Sequence, residues 1–449
     1  MSSSPATTAD PGTLEKVSPA HLKKVVGASF AGTVVEWFDF AIYGYMATHI
    51  AATFFASDDA VVGLLETFAI FAVAFAMRPL GGIIFGRLGD RLGRKKILIL
   101  TVLLMSGSTA AIGLIPSHET IGVWAAVLLA TARCVQGLSA GGEYAGATIY
   151  TVEHSPDNRR NRYSSAMSAA TFASFALAAG LGALLSLILP PEAMGDWGWR
   201  LLFLLSIPMG LIAFYIRSNL HESPEFEAMV QESSNRPSLG FGEVVRTQWK
   251  QMLRLGGFVM LTALSFYIFS TYMSTFLITV VGLEQSSALL SSLMALTFAT
   301  ILAPFMGRLS DRIGRRKMMQ MSATLLAVLT IPAYMLAQAG TLASATASQL
   351  MISIGAVAAN VVTSVLISEM FSTDVRYIAS GLSYNVTYAI FGGTAPYIAT
   401  WLVATTENAL APAIYVSIVA VAALLIVSFT YKETAGKPLR RFHDEPLAD

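Results

Sequence analysis

Long apolar runs broken by short polar segments set the pattern of this chain. A helix needs about 20 residues to cross about 30 Å of hydrocarbon. Twelve runs are long enough: residues 25–48, 61–85, 97–115, 121–149, 163–189, 199–217, 253–279, 286–306, 317–338, 345–370, 377–404 and 411–431. Each predicts a membrane-spanning helix, because a helix satisfies its own backbone hydrogen bonds where no water can. The fourth and tenth runs are long enough to tilt or to project beyond the membrane.

The polar breaks are of two kinds. After the second run come Arg87, Arg91, Arg94, Lys95 and Lys96; after the fourth, Arg159, Arg160 and Arg162; after the eighth, Arg308, Arg312, Arg315, Arg316 and Lys317. The alternate breaks, around residues 58–59, 116–120, 282–285, 340–344 and 407–408, carry no lysine or arginine, and only Arg200 sits near that side. Basic loops stay in the cytoplasm, so both termini are expected there, in a plasma (inner) membrane. The longest polar break, from His221 to about Lys250, is rich in Glu, Ser, Pro and Arg and reads as a linker. The expected organisation is a tail at 1–24, a six-helix bundle at 25–218, a linker at 219–252, a second bundle at 253–432 and a tail at 433–449.

Composition agrees and excludes other classes. The chain is 54% hydrophobic and only 13% charged, against about 25% charged in a soluble domain. A net charge of +1 gives no basic face for nucleic acid. Cys134 is the only cysteine, so neither an intrachain disulfide nor a cysteine-based metal cluster can form. The first apolar run carries Glu36 and Asp39, unlike a cleavable signal. No HExxH, serine–histidine dyad or nucleotide-binding loop is present, so an enzyme is not expected.

The two halves repeat. Gly86-Arg-Leu-Gly-Asp90-Arg91-Leu-Gly93-Arg94-Lys95 follows the second run, and Gly307-Arg-Leu-Ser-Asp311-Arg312-Ile-Gly314-Arg315-Arg316 follows the eighth. Glu153 precedes Arg160 by the same separation as Glu369 precedes Arg376, and Glu222-Ser223 is matched by Glu433-Thr434. Related six-helix halves around a central site suit alternating access. The glycines allow tight turns and close helix approach. Asp90 and Asp311 can face the positive N-terminal end of a neighbouring helix, and the arginines can pair with acids such as Glu153 or Glu369. Gly86, Asp90, Arg91, Arg94, Glu153, Arg160, Gly307, Asp311, Arg312, Arg315, Glu369 and Arg376 are therefore the expected cytoplasmic gate.

The duplicated loop, together with Arg133-x-x-Gln136-Gly137, resembles the major facilitator superfamily. Glu36-Trp37-Phe38-Asp39-Phe40, Arg78-Pro79-Leu80-Gly81-Gly82 and the stretch from Gln136 to Tyr144 are similar to the metabolite:proton symporter family within it. Members of that family carry osmolytes, dicarboxylates, citrate or shikimate. The likeness runs from the first span to Glu433. In the second half it rests on Thr271-Tyr272-Met273, Glu369-Met370-Phe371 with Arg376-Tyr377, Tyr384-Asn385 and Lys432-Glu433-Thr434, and it is nearest to the osmolyte carriers. It implies an all-α integral membrane fold of twelve helices in two pseudo-symmetric bundles. No heptads follow Glu433, so a coiled-coil tail is not expected within these residues.

Ionisable groups at membrane depth mark functional positions. Glu36 and Asp39 lie near the middle of the first span on one face, with Tyr43 a turn beyond. Arg133 lies mid-way along the fourth, with Gln136, Ala140 and Glu143 continuing its face; Glu66 and Arg78 are in the second. All of these are expected to look into a central cavity. The interiors of spans seven to twelve carry no charge, and offer Tyr267, Tyr272, Asn360, Tyr384, Asn385, Tyr388, Tyr397 and Trp401 to shape the substrate pocket. The histidines fall in loops, tails or a span end, so a carboxylate must carry the proton: Asp39 first, Glu36 second, with Glu143 as an exit relay. A permanent ion pair of Arg133 with Glu36 or Asp39 is the structural alternative. Arg133 with Gln136 suits a substrate carboxylate, and Trp37, Tyr43, Tyr144, Tyr267, Tyr272, Tyr384 and Trp401 offer ring faces to an ammonium group. The expectation is proton symport of a zwitterionic osmolyte such as proline or glycine betaine. Symport of an organic acid (α-ketoglutarate, citrate or shikimate) and an uncoupled facilitator or channel stand beside it. No cofactor is expected, the proton gradient being the energy source; the partners are the solute, protons and lipid, with no obligate protein partner.

Overall fold

The computed structural model describes residues 19–57, 59–141, 148–149, 151–153, 155–219 and 241–439. Helices occupy nearly all of them: α1 (Pro19–Tyr45), α2 (Ala60–Leu92), α3 (Arg94–Leu114), α4 (Trp124–Ser139), α5 (Arg160–Ile188), α6 (Trp199–Leu204, continued by Ser206–Asn219), α7 (Phe241–Tyr267), α8 (Gln285–Ile313), α9 (Arg315–Ala337), α10 (Leu342–Glu369), α11 (Thr373–Thr387) and α12 (Ala411–Thr430). Two of these continue through a π turn, α7 at Ile268–Tyr272 into Met273–Thr279 and α11 at Tyr388–Gly393 into Ala395–Thr406. A short helix, Ala47–Phe54, extends α1. Among the described residues nine helical stretches are long and apolar enough by themselves to cross a membrane. The other three expected spans coincide with α1, which carries Glu36 and Asp39, with α4, whose helix ends at Ser139, and with α11.

Local sequence explains the element ends. The α2–α3 and α8–α9 corners each turn on one residue, Gly93 at φ 93° and Gly314 at φ 95°. A side chain at this positive φ would meet the backbone, so both repeats use glycine. Asp59 caps α2 by accepting from the Val61 amide at 2.8 Å. Helix α7 starts at Phe241, ahead of the apolar run that begins at residue 253, because its first turns are amphipathic, with Val244 buried and Trp249 exposed.

The surface is apolar, and the charged and amide side chains within the helices lie inside. Leu103, Leu184, Ile212, Ile301, Val328 and Phe429 are exposed, whereas Asp39, Arg78, Arg133, Gln136 and Gln349 are buried. Hydrocarbon solvates the first set and cannot solvate the second. Two seams join the bundles, α5 along α8 and α2 along α11. The repeat of the sequence is thus a repeat of the packing. Helix α10 is the most enclosed, with 83% of its apolar window buried.

Two expected cavity residues point elsewhere. Glu66 is exposed on the second turn of α2, near the helix end, where a long side chain can reach the membrane–water boundary. Trp401 is 47% exposed on the outer side of the second bundle, a position suited to packing against lipid rather than substrate.

Candidate functional site

The site begins with two helices that touch backbone to backbone. A Cβ added at Gly81 would fall 1.9 Å from the Leu138 carbonyl oxygen, and one at Gly137 would fall 2.0 Å from that of Ala74. Only glycine permits this approach of α2 to α4. It brings Arg78, three residues before Gly81, and Arg133, four before Gly137, into the same enclosed space.

Both guanidinium groups sit among rings. The Cζ of Arg78 lies 4.1 Å from the Phe75 centroid, 4.3 Å from Phe40 and 5.4 Å from Trp37. The Cζ of Arg133 lies 4.1 Å from Tyr43, 5.2 Å from Phe71 and 5.3 Å from Phe40. The Phe40 ring is therefore shared between the two cations. From the second bundle, Tyr267 closes the group against Phe75 at 5.1 Å and Phe71 at 5.6 Å, and Phe266 meets Trp37 at 5.9 Å. Tyr388 and Tyr384, with ring centroids 4.1 Å apart and planes tilted by 31°, continue the aromatic wall along α11.

Neither arginine forms an ion pair with a carboxylate among the described residues; Arg133 leaves Nε and Nη2, and Arg78 its Nε, without a hydrogen bond. The alternative of a permanent Arg133–Glu36 or Arg133–Asp39 pair does not hold in this structure. Arg133 Nη1 instead donates to Gln136 Oε1. Gln136 Nε2 in turn donates to Thr109 Oγ1 at 2.8 Å and to the Asp39 carbonyl at 3.4 Å, tying α4 to α3 and α1. Asp39 is 2% exposed and neither carboxylate oxygen has a hydrogen-bond partner. Thr109 and Arg133 are the polar groups that act on it. Glu36, one turn away, is only half-buried and lies within electrostatic reach of Tyr267.

The structure brings together most of the expected substrate residues, and redirects some. Trp37, Tyr43, Arg133, Gln136, Tyr267 and Tyr384 line or adjoin the central group. Tyr43 uses its hydroxyl on the Thr67 carbonyl at 2.9 Å, so it offers a ring face rather than a donor. Tyr272, the last residue of the π turn of α7, packs on Phe276 within the second bundle. Asn385 is a clasp between bundles, its Nδ2 donating to the Gly141 carbonyl at 3.0 Å. Glu143, Tyr144 and the side chains of Asp90, Arg91 and Arg94 lie outside the described residues. The sequence reading underweighted Arg78 and passed over Phe40, Phe71, Phe75 and Phe266. On α2 the spacing carried a signal, since Phe71, Phe75 and Arg78 recur every three or four residues.

On the basic face the gate residues are joined in pairs across the bundles. Arg376 donates from Nη1 to Glu153, and Arg160 Nη1 lies 3.8 Å from Glu369 Oε1. Glu369 also receives both nitrogens of a fork from Arg315, at 3.1 and 3.0 Å. Asp311 accepts from the backbone amides of Asn161 at 3.1 Å and Arg162 at 2.8 Å, capping the N-terminus of α5. A Cβ at Gly307 would lie 2.7 Å from the Asn161 carbonyl oxygen, whereas one at its repeat mate Gly86 would meet nothing within 4 Å among the described residues. The second-half loop is thus docked on the first bundle. The segment after α12 adds a strap: Thr434 Oγ1 donates to Glu369 at 2.6 Å, and the Lys437 carbonyl accepts from Arg160 at 2.7 Å. Arg312 lines a cleft beside this strap with Glu433 and Gly436. On the opposite face His49 Nε2 and Gln285 Oε1 join the bundles at 2.9 Å.

Comparisons with known proteins place this arrangement. Residues 29–376 and 286–447 match the profile of the Major Facilitator Superfamily. The chain is 38% identical over 435 residues to the proline/betaine transporter of Escherichia coli (strain K12), covering 94% of this chain and 86% of that one. It is equally similar, 38% over 435 residues with 94% and 86% covered, to the glycine betaine/proline/ectoine/pipecolic acid transporter of Dickeya dadantii (strain 3937). Among solved structures, that of the D-xylose-proton symporter superposes with a TM-score of 0.72 at 18% identity, covering 93% of this chain and 99% of that one. With its duplicated bundles, polar centre and gate loops, the chain belongs to the Major Facilitator Superfamily and is a multi-pass membrane transporter, not an enzyme.

Proposed function

We propose that this protein is a proton-coupled symporter that imports a small zwitterionic osmolyte, of the proline or glycine betaine kind, by alternating access. The observation that carries this reading is the central group itself. Among the described residues no carboxylate pairs with the two buried guanidinium cations, and aromatic faces surround them. A substrate carboxylate would meet the cations, and its ammonium the rings. The buried, unpartnered Asp39 carboxyl stands beside them as the proton carrier. A charge stripped of water and of donors is costly, so loading a proton there changes which arrangement of the bundles is favoured. The names of the relatives that are 38% identical support the same solute class.

In this reading the basic face is cytoplasmic, both termini lie there, and the membrane is the plasma (inner) membrane. The bundles are residues 25–218 and 253–432, joined through 219–252. The Glu153–Arg376 and Arg160–Glu369 pairs close the cytoplasmic side, and Glu36 and Glu143 assist proton movement. No cofactor is required beyond the proton gradient. A second reading, symport of an organic acid, draws on the two arginines side by side, which would suit two carboxylates.

Uptake into proteoliposomes tests the proposal. Accumulation of proline or glycine betaine under an imposed inside-alkaline gradient is the expected result. Equilibration without accumulation would mean an uncoupled facilitator, and accumulation of α-ketoglutarate, citrate or shikimate instead would favour the second reading.

A further inference from the structure

The two deep arginines are not equivalent. Arg133 is held within the first bundle: Gln136 engages its Nη1, and Gln136 is itself fixed to Thr109 and to the Asp39 backbone. Arg78 has no such company. It forms no ion pair among the described residues and its Nε has no partner. Its guanidinium is set among Trp37, Phe40 and Phe75, and the Tyr267 ring of the opposite bundle packs edge-on against Phe75 at 5.1 Å.

We infer that the two guanidiniums divide the work: Arg78 receives the substrate carboxylate at the bundle interface, and Arg133, engaged by Gln136, stays with the first bundle as the fixed positive charge of the site. This deepens the proposed function and rests on it. A carboxylate on Arg78 places the attached ammonium among the Trp37, Phe40 and Phe75 faces, where a quaternary or secondary ammonium is attracted to the ring quadrupoles. It also puts the substrate against Tyr267, so both bundles sense its arrival. The acids, bases and phenols around this space are Glu36, Asp39 and Tyr43 on α1, Arg78 on α2, Arg133 on α4, Tyr267 on α7, and Tyr384 with Tyr388 on α11. A charged Asp39 in the same enclosed space repels an arriving carboxylate, and protonation of Asp39 removes that repulsion. Proton and substrate therefore reinforce each other, as symport requires.

Equilibrium binding to the purified full-length protein tests this. The probes are proline and glycine betaine, their carboxylate-free counterparts prolinamide and choline, and α-ketoglutarate. The unsubstituted protein should prefer the carboxylate-bearing probes. Arg78→Gln should weaken them roughly 10- to 100-fold, the worth of a charge-assisted hydrogen bond, with a far smaller loss for prolinamide and choline. Retained binding of those two would also show that the variant is folded. Arg78→Lys should recover part of the loss, since it keeps the charge without the planar fork. Arg133→Gln should lose gradient-driven accumulation while weakening carboxylate binding less than Arg78→Gln does. Undiminished carboxylate preference in Arg78→Gln, or a larger binding loss in Arg133→Gln, overturns the assignment. Binding of α-ketoglutarate but not proline or glycine betaine by the unsubstituted protein would sink the osmolyte reading alone, and the same Arg78 comparison would then be made with that acid. Failure to bind any carboxylate overturns both.

Discussion

Arg376 on α11 donates its Nη1 to the Glu153 carboxylate, 223 positions earlier in the chain, and so pins one bundle to the other on the basic face. The repeat mate of this pair is Arg160 with Glu369, at 3.8 Å. Each half contributes one acid and one arginine, and each acid is met by the arginine of the other half. Crosswise pairing makes the two contacts part together when the bundles rock. Because Glu153 keeps 22% of its side chain exposed, water can replace the partner once the pair opens.

Breaking this pair should loosen the basic face. Ser164 and Ser364 meet across the bundles at 3.1 Å, close to the gate, and a cysteine at Ser164 would be shielded there. In a Cys134→Ser background, Glu153→Gln or Arg376→Gln should raise maleimide labelling of that cysteine roughly 5- to 100-fold, corresponding to about 1–3 kcal/mol for a hydrogen-bonded charge pair. The exchanged pair, Glu153→Arg with Arg376→Glu, should restore protection. Equal labelling in all variants would assign closure to other contacts.

Asp39→Asn should abolish accumulation driven by a pH gradient but leave solute exchange measurable in counterflow. The asparagine keeps the shape of the carboxyl and removes the proton that it carries. Accumulation at the unsubstituted level would move the proton to another acid, with Glu36→Gln as the next variant to measure.

Glu433 predicts a pH response at the strap after α12. Burial opposes its charge, but the backbone amides of Ala435, Arg315, Arg316 and Thr434 outweigh it and hold the carboxyl below its ordinary value of 4.5. The contribution to docking is therefore fully present above that value and disappears as pH falls through the depressed one. Hydrogen exchange in residues 431–438 should be slow at neutral pH and quicken only below the ordinary carboxylate range. Glu433→Gln should show the quicker exchange already at neutral pH, a loss of about 1 kcal/mol for a partly exposed cap. Slow exchange in that variant would mean that Thr434 and Lys437 suffice.

Gly137→Ala and Gly86→Ala should differ sharply. The first places a Cβ on the Ala74 carbonyl and must push α2 from α4, costing at least about 1–3 kcal/mol and weakening substrate binding by separating Arg78 from Arg133. The second meets nothing within 4 Å among the described residues. Thermal unfolding in detergent should therefore fall for Gly137→Ala alone, and equal midpoints would argue against the close approach.

Much of this protein is legible along the chain. The apolar runs determine the helices, because hydrocarbon admits little else. The duplicated Gly-x-Leu-x-Asp-Arg loops announce the two halves, and Asp39 and Arg133 stand out because charge in an apolar run has no other place than the interior. Hydropathy failed for Glu66 and Trp401, since position near a helix end or on a lipid-facing side is not written in the run itself.

Partnership was decided only in three dimensions. The chain shows that Arg78 and Arg133 are deep, but not that contacts of Gly81 and Gly137 with opposing backbone set them around one Phe40 ring. It shows Glu153 seven residues before Arg160, but not that each pairs across the bundles. Helical periodicity assigns a side chain to a face. Which helix that face meets, and whether an acid or a ring waits there, depends on how closely backbones far apart in sequence can approach.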